Sequence, residues 1–172
     1  GFQGNIRATT RPVSFDAQAL GEILKLPQFS AWRDNGGLIV SDDLGSPAVR
    51  DFYAPADTAF NPRLIVRDAF LAGTDLLNLG NIFSADPSDH DTTVKLVLAY
   101  FARRYIEDPA FAQRVDTAAL RLLLRKVALY GPFSVANVTP DRNQLDALGR
   151  SHQITFQVAS QAVSLLSPDR QE

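Results

Sequence analysis

Nine consecutive residues, Gly36-Gly37-Leu38-Ile39-Val40-Ser41-Asp42-Asp43-Leu44, constrain the fold of this chain more than any other stretch. Asp34-Asn35 and the glycine pair form a strong turn signal. The apolar residues that follow predict a short buried strand over residues 38–41. Carboxylates placed directly after such a strand emerge at its C-terminal edge, where ligands and catalytic groups collect in parallel α/β proteins. Ala72-Gly73-Thr74-Asp75-Leu76-Leu77-Asn78-Leu79-Gly80-Asn81 repeats the plan one helix later and predicts a second strand over residues 76–79. Two short strands joined by a helical crossover imply a parallel pair, and hence an α/β fold.

With 172 residues, 45% of them apolar, the chain can bury a real core. A formal charge of −2 argues against a nucleic-acid partner. Arg103, Arg104, Arg121, Arg125 and Lys126 fall at helical spacing among apolar residues, which reads as a solvated helix face. No apolar run reaches membrane-spanning length and no signal peptide is legible, so no membrane partner is expected, and a cytoplasmic or a secreted parent fits equally. Without cysteine there are no disulfides or thiolate metal sites. Methionine is also absent, and Gly1-Phe2-Gln3-Gly4 does not look like a natural start, so the chain is expected to be a piece of something longer.

Along the chain, Ser14 is placed to cap a helix to about Lys25, closed by Pro27. Pro47 opens a short helix over residues 48–53, and Asn61-Pro62 a longer one to about Leu71 that buries Leu64, Ile65, Ala69 and Phe70. Gly73 fits its C-cap. Residues 93–106 and 116–130 read as apolar-rich helices separated by Asp108-Pro109 and ended by Gly131-Pro132, the second carrying Leu120, Leu123, Leu124 and Val127. Residues 133–143 read as a linker, and a last helix runs from Ser151 to about Leu166.

Asp42 and Asp43 lead the chemical candidates. They could serve a pocket, cap the helix near Pro47, or ionise in a solvated loop. Neighbours on an extended segment point to opposite faces, so at most one of them faces a pocket. They are therefore not a paired general acid and base, and a second catalytic carboxylate has to come from elsewhere. His90, in Asp86-Pro87-Ser88-Asp89-His90-Asp91, lacks a partner at ligand spacing and reads as part of a helix-capping loop. His152 stands at the start of the last helix. Ser41 is not in a hydrolase elbow, and the glycines form no phosphate loop.

Taken in order, these motifs resemble the C-terminal part of the catalytic domain of glycoside hydrolase family 3, in its β-N-acetylhexosaminidase-like branch. Gly37-Leu38-Ile39-Val40-Ser41-Asp42-Asp43-Leu44 is similar to the family's nucleophile strand. Asp68-Ala69-Phe70-Leu71-Ala72-Gly73 with Thr74-Asp75-Leu76-Leu77 resembles its last barrel helix-to-strand passage. Arg114-Val115-Asp116 and Arg121-Leu122-Leu123-Leu124-Arg125-Lys126 resemble the helix closing its first domain. His152 through Ala162-Val163-Ser164-Leu165-Leu166 resembles the helix leading to its second. Ser41-Asp42-Asp43-Leu44 leans to the hexosaminidase branch, since the glucosidase branch commonly has Ser-Asp-Trp. Gly45-Ser46-Pro47 departs from the methionine-containing continuation of that branch.

The resemblance implies the C-terminal portion of a (β/α)8 barrel over residues 1–132, with closing helices, and a linker and helix toward a second domain over residues 133–172. It implies a retaining glycosidase acting on terminal β-linked N-acetylhexosamine, with Asp42 as nucleophile and Ser41, Asp43 and Asn81 as substrate-binding or supporting residues. The acid/base, a histidine oriented by an aspartate, would lie upstream, and neither His90 nor His152 matches it. No metal or cofactor is implied. A β-glucosidase-like member, a non-catalytic sugar-binding homologue and a helical interaction module are the alternatives. The partners expected are a carbohydrate and either a second copy or the missing barrel segment.

Overall fold

The computed structural model describes residues 11–55, 59–84, 89–132, 134–145, 149 and 151–162. Helix α1, Ala17–Leu24, starts at Asp16, whose carboxylate accepts from the Gln18 and Ala19 amides at 3.0 and 3.1 Å. Ser14, expected as the cap, lies in a 3-10 turn over Val13–Phe15 instead. Pro27 does more than close α1. It opens α2, Pro27–Asp34, a helix that the sequence reading omitted because its N-cap, Leu26, offers no side-chain acceptor.

Strand β1 is Val40–Asp43, followed by α3, Pro47–Tyr53, and α4, Pro62–Ala72. Gly73, at φ +132°, ends α4 in a conformation that a side chain disfavours, and strand β2, Leu76–Asn78, follows. The two strands pair in parallel, giving a helix-rich α/β unit. β1 begins two residues later than expected, because the Ile39 amide donates to the Asp75 carboxylate at 3.1 Å rather than to a strand partner. Both carboxylates at positions 42 and 43 therefore lie within the strand, not after it.

Val40 stands opposite Leu76, and Asp43 opposite Asn78. Three steps along β1 thus match two along β2, which is a bulge. Val40 is 57% exposed and Leu76 41%, so one face of the pair is open. Leu77 and Leu79 pack the other way, into a core of Phe15, Leu44, Ile65, Val66, Ala69 and Ile82. Ile65 and Ala69 are fully buried and Phe70 nearly so, as the helical spacing implied, while Leu64 is only half-buried.

α5, His90–Glu107, begins with Asp89 accepting from the Thr92 amide at 2.7 Å. α6, Pro109–Tyr130, begins beside Asp108, which accepts from the Ala110 and Phe111 amides. Phe101 of α5 and Phe111 of α6 close on Phe70, with ring centroids 5.2 to 5.4 Å apart. Leu120, Leu123, Leu124 and Val127 of α6 are about half exposed, so its apolar stripe is not core. Among the described residues no helix is long and apolar enough to cross a membrane.

The chain divides into two compact units, Gly1–Leu129 and Tyr130–Glu172. In the second, α7, Val135–Val138, α8, Arg142–Leu145, and α9, His152–Ala162, occupy part of the expected linker and last helix. The expected continuation of that helix over residues 163–166 lies outside the described residues. Ile154, Phe156 and Val158 of α9 are exposed.

Candidate functional site

The bulge lies where the chemistry was expected. Ser41 turns its hydroxyl to the Asn78 amide, accepting at 2.8 Å, so a side chain takes a place that a backbone carbonyl holds in a regular ladder. Past this point the two aspartates differ sharply. Asp42 is exposed, and among the described residues its carboxylate accepts from one donor, the Asp43 amide at 2.7 Å. Asp43 is half-buried, and its Oδ1 accepts from the Gly45 amide at 2.9 Å and the Asn81 amide at 3.1 Å. The Asn81 side-chain amide donates to Oδ2 at 2.5 Å. Burial pushes the Asp43 carboxyl up, but the Gly45 and Asn81 hydrogen bonds and the Arg50 charge outweigh it, and the net shift is below the ordinary value.

The structure therefore joins the Asp43 carboxylate to Asn81, while the Asp42 carboxylate takes no part in that junction. Asp43 ties the loop after β1 to the loop after β2. Gly45 is essential to that approach, because a Cβ there would stand 2.1 Å from the Asn81 carbonyl oxygen. Arg50 of α3 locks the same junction. Its Nε donates to the Gly45 carbonyl at 2.9 Å and its Nη2 to the Asn81 carbonyl at 3.0 Å. The guanidinium lies 4.2 Å from the Phe60 ring centroid and 4.3 Å from that of Phe83. No local signal marks Arg50 in the sequence, since its partners come from distant positions.

A cavity of about 250 Å³ opens beside this junction, with Ser14, Ser46, Val49 and Phe52 in its wall together with Ser41, Asp42 and Asp43. Its lining combines apolar side chains with the Ser14, Ser41 and Ser46 hydroxyls and the two carboxylates. His90 sits at the β2 exit with a ring nitrogen 2.6 Å from the Leu79 carbonyl oxygen. His152 is exposed at the start of α9. Among the described residues no three His, Cys, Asp or Glu side chains converge as a metal site.

At the other strand edge Asp75 forms a second polar centre, which the sequence reading quoted but gave no role. Its carboxylate is 0% exposed and pairs with Arg33, with Arg114 at 3.1 Å and with Arg121 at 3.5 Å. The expected solvated helix face holds for Arg103, Arg125 and Lys126, which are exposed, but it does not describe Arg121, which is half-buried. Arg121 turns to Asp75, and Arg125 donates to the Gly36 and Asn35 carbonyls, because α6 lies against the turn before β1. Arg103 and Arg104 do pair along their own helix line, with Glu107 and Asp108. Comparison with protein-family models, curated proteins and solved structures finds no match to this chain.

Proposed function

We propose that this chain carries the nucleophile side of a retaining glycosidase site, with Asp42 attacking the anomeric carbon as the glycosidic C–O bond breaks. The aglycone leaves as an alcohol protonated by the general acid, giving a glycosyl-enzyme that water then hydrolyses. The observation that carries the reading is the division of labour at the β1 edge. One carboxylate is occupied by the loops, while its neighbour stays exposed beside a sugar-sized cavity. A nucleophile needs an unspent lone pair and a rigid mount, and the Asp43–Asn81–Arg50 junction supplies the mount. The motif order supports a family 3 site acting on β-linked N-acetylhexosamine, on the C-terminal strands of a barrel. The open face at Val40 and Leu76 suits cover by further barrel strands or by a second copy.

The general acid/base then comes from outside this chain's own histidines. His90 is engaged with the Leu79 carbonyl, and His152 belongs to the other compact unit. The test is mass spectrometry after incubating the full-length protein with a slow fluorinated N-acetylglucosaminide. One sugar mass is expected on the peptide containing Asp42, lost in Asp42→Ala and retained in Asp43→Ala. Labelling at Asp43, or at no carboxylate of this strand, overturns the assignment. Saturable binding of N-acetylglucosamine without turnover would favour a sugar-binding homologue instead.

A further inference from the structure

The polar centre around Asp75 holds more positive charge than it can use. Arg33 of α2 and Arg114, Arg121 and Arg125 of α6 converge on the turn before β1 and the start of β2. Positions 114, 121 and 125 repeat at seven and four residues, which puts them along one stripe of the helix. Three guanidiniums, those of Arg33, Arg114 and Arg121, meet one carboxylate, and the fourth, that of Arg125, lies on the Gly36 and Asn35 carbonyls. Asp34 follows Arg33 but forms no ion pair with any of the four, and Asp116 on α6 is engaged by the Tyr105 hydroxyl at 3.0 Å.

Asp75 is also saturated as an acceptor. Its Oδ2 takes Arg33 and the Ile39 amide, and its Oδ1 takes Arg33 at 3.2 Å and Arg114 at 3.1 Å. A carboxylate oxygen has two lone-pair sites, so Arg121 arrives third at Oδ1, at 3.5 Å. Among the described residues that long contact is the sole hydrogen bond of a guanidinium with five donors, although its side chain is only 24% exposed. Arg33 and Arg114 are better supplied, through the Gly37, Gly73 and Thr74 carbonyls. Burial lowers the Arg114 pKa, and the Arg33 and Arg121 charges add to that against the pull of Asp75. Like charges gathered without enough acceptors are relieved by an oxyanion, which offers several lone pairs and a matching fork geometry.

We infer that this arginine cluster, at the strand edge opposite Asp42, binds a phosphate-class oxyanion through Arg121 with Arg114 and Arg125 alongside. The site does not depend on the glycosidase reading. Its ligand is either free phosphate or the phosphate group of a small phosphomonoester.

The test is calorimetric titration of the 172-residue chain with inorganic phosphate and, separately, with glycerol phosphate, each against sodium chloride at matched ionic strength. Saturable binding of phosphate and none of chloride is expected. Arg121→Gln should weaken it roughly tenfold or more, the loss of one charge-assisted contact. Arg125→Gln gives up its hydrogen bonds to the Asn35 and Gly36 carbonyls but leaves the Asp75 ion pairs in place, and it should weaken binding about threefold with an unchanged circular dichroism spectrum. Tighter binding of glycerol phosphate supports the site and makes the ligand a monoester, while tighter binding of inorganic phosphate supports it and makes free phosphate the ligand. Heat effects equal to those of chloride, or affinity unchanged in both variants, would overturn the proposal.

Discussion

The two ends of the β1–β2 pair use the same residue type to opposite effect. At the N-terminal edge Asp75 is fully buried and takes donors from α2, from the residue before β1 and from α6. At the C-terminal edge Asp42 is exposed and, among the described residues, takes only the amide next to it. Asp43 stands between these extremes, half-buried with three donors. The difference shows how one short parallel pair separates structure from chemistry. The carboxylate is enclosed by donors where helices converge and left exposed where the loops and the cavity lie.

The sharpest way to break this comparison is to remove the buried carboxylate. Asp75→Ala leaves Arg33 and Arg114 largely buried without their counterion and frees the Ile39 amide. A loss of about 3–5 kcal/mol is expected in urea unfolding. The pH dependence follows from the same centre. Burial raises the Asp75 pKa, but the Arg33 hydrogen bond, the Ile39 amide and the Arg33 and Arg114 charges bring it below the ordinary value. A depressed folded pKa gives stability that is complete above the unfolded value of about 3.9 and is lost as pH falls through the folded one. Acid unfolding should therefore steepen below about pH 4, and Asp75→Asn should remove that part of the slope. A wild-type stability curve flat through that window would separate the buried carboxylate from any structural duty.

Two smaller changes probe the intermediate case. Gly45→Ala forces a Cβ into the Asn81 carbonyl and should cost about 2–3 kcal/mol, as overpacking against backbone does. Asp43→Ala removes the three hydrogen bonds that join the loops, at partly exposed positions, and should cost about 1–2 kcal/mol by thermal or urea unfolding. If Gly45→Ala were neutral, the two loops would not be held at the spacing seen here.

Much of this contrast was legible from residues alone, and some of it was not. The parallel pair, the Asn61-Pro62 helix and the Gly73 cap followed from local chemistry, because turn residues and apolar period act within a few positions. Strand geometry also predicted different surroundings for Asp42 and Asp43, and their exposure does differ, yet both line the cavity that at most one of them was expected to face. The bulge did not, since it depends on a Ser41 hydroxyl meeting an amide 37 residues away. Arg50 and the Asp75 cluster were missed for the same reason. An arginine in a helical pattern reads as solvated until a distant carboxylate, ring or carbonyl is brought to it, and only the tertiary fold does that.

The smallest expected effect belongs to the residue with the largest proposed role. Asp42→Ala deletes an exposed carboxylate whose one protein partner is the amide that follows it, and that amide remains able to bond to water. Its unfolding free energy should stay within about 0.5 kcal/mol of the parent, as for surface substitutions away from special features. Asp43→Ala one residue later should exceed that change at least twofold, because its donors come from two loops that water cannot bridge in the same geometry. Paired urea titrations of the two variants at neutral pH measure the contrast directly. Equal losses would show that Asp42 is as structural as its neighbour, and would remove the division of labour on which its role as nucleophile rests.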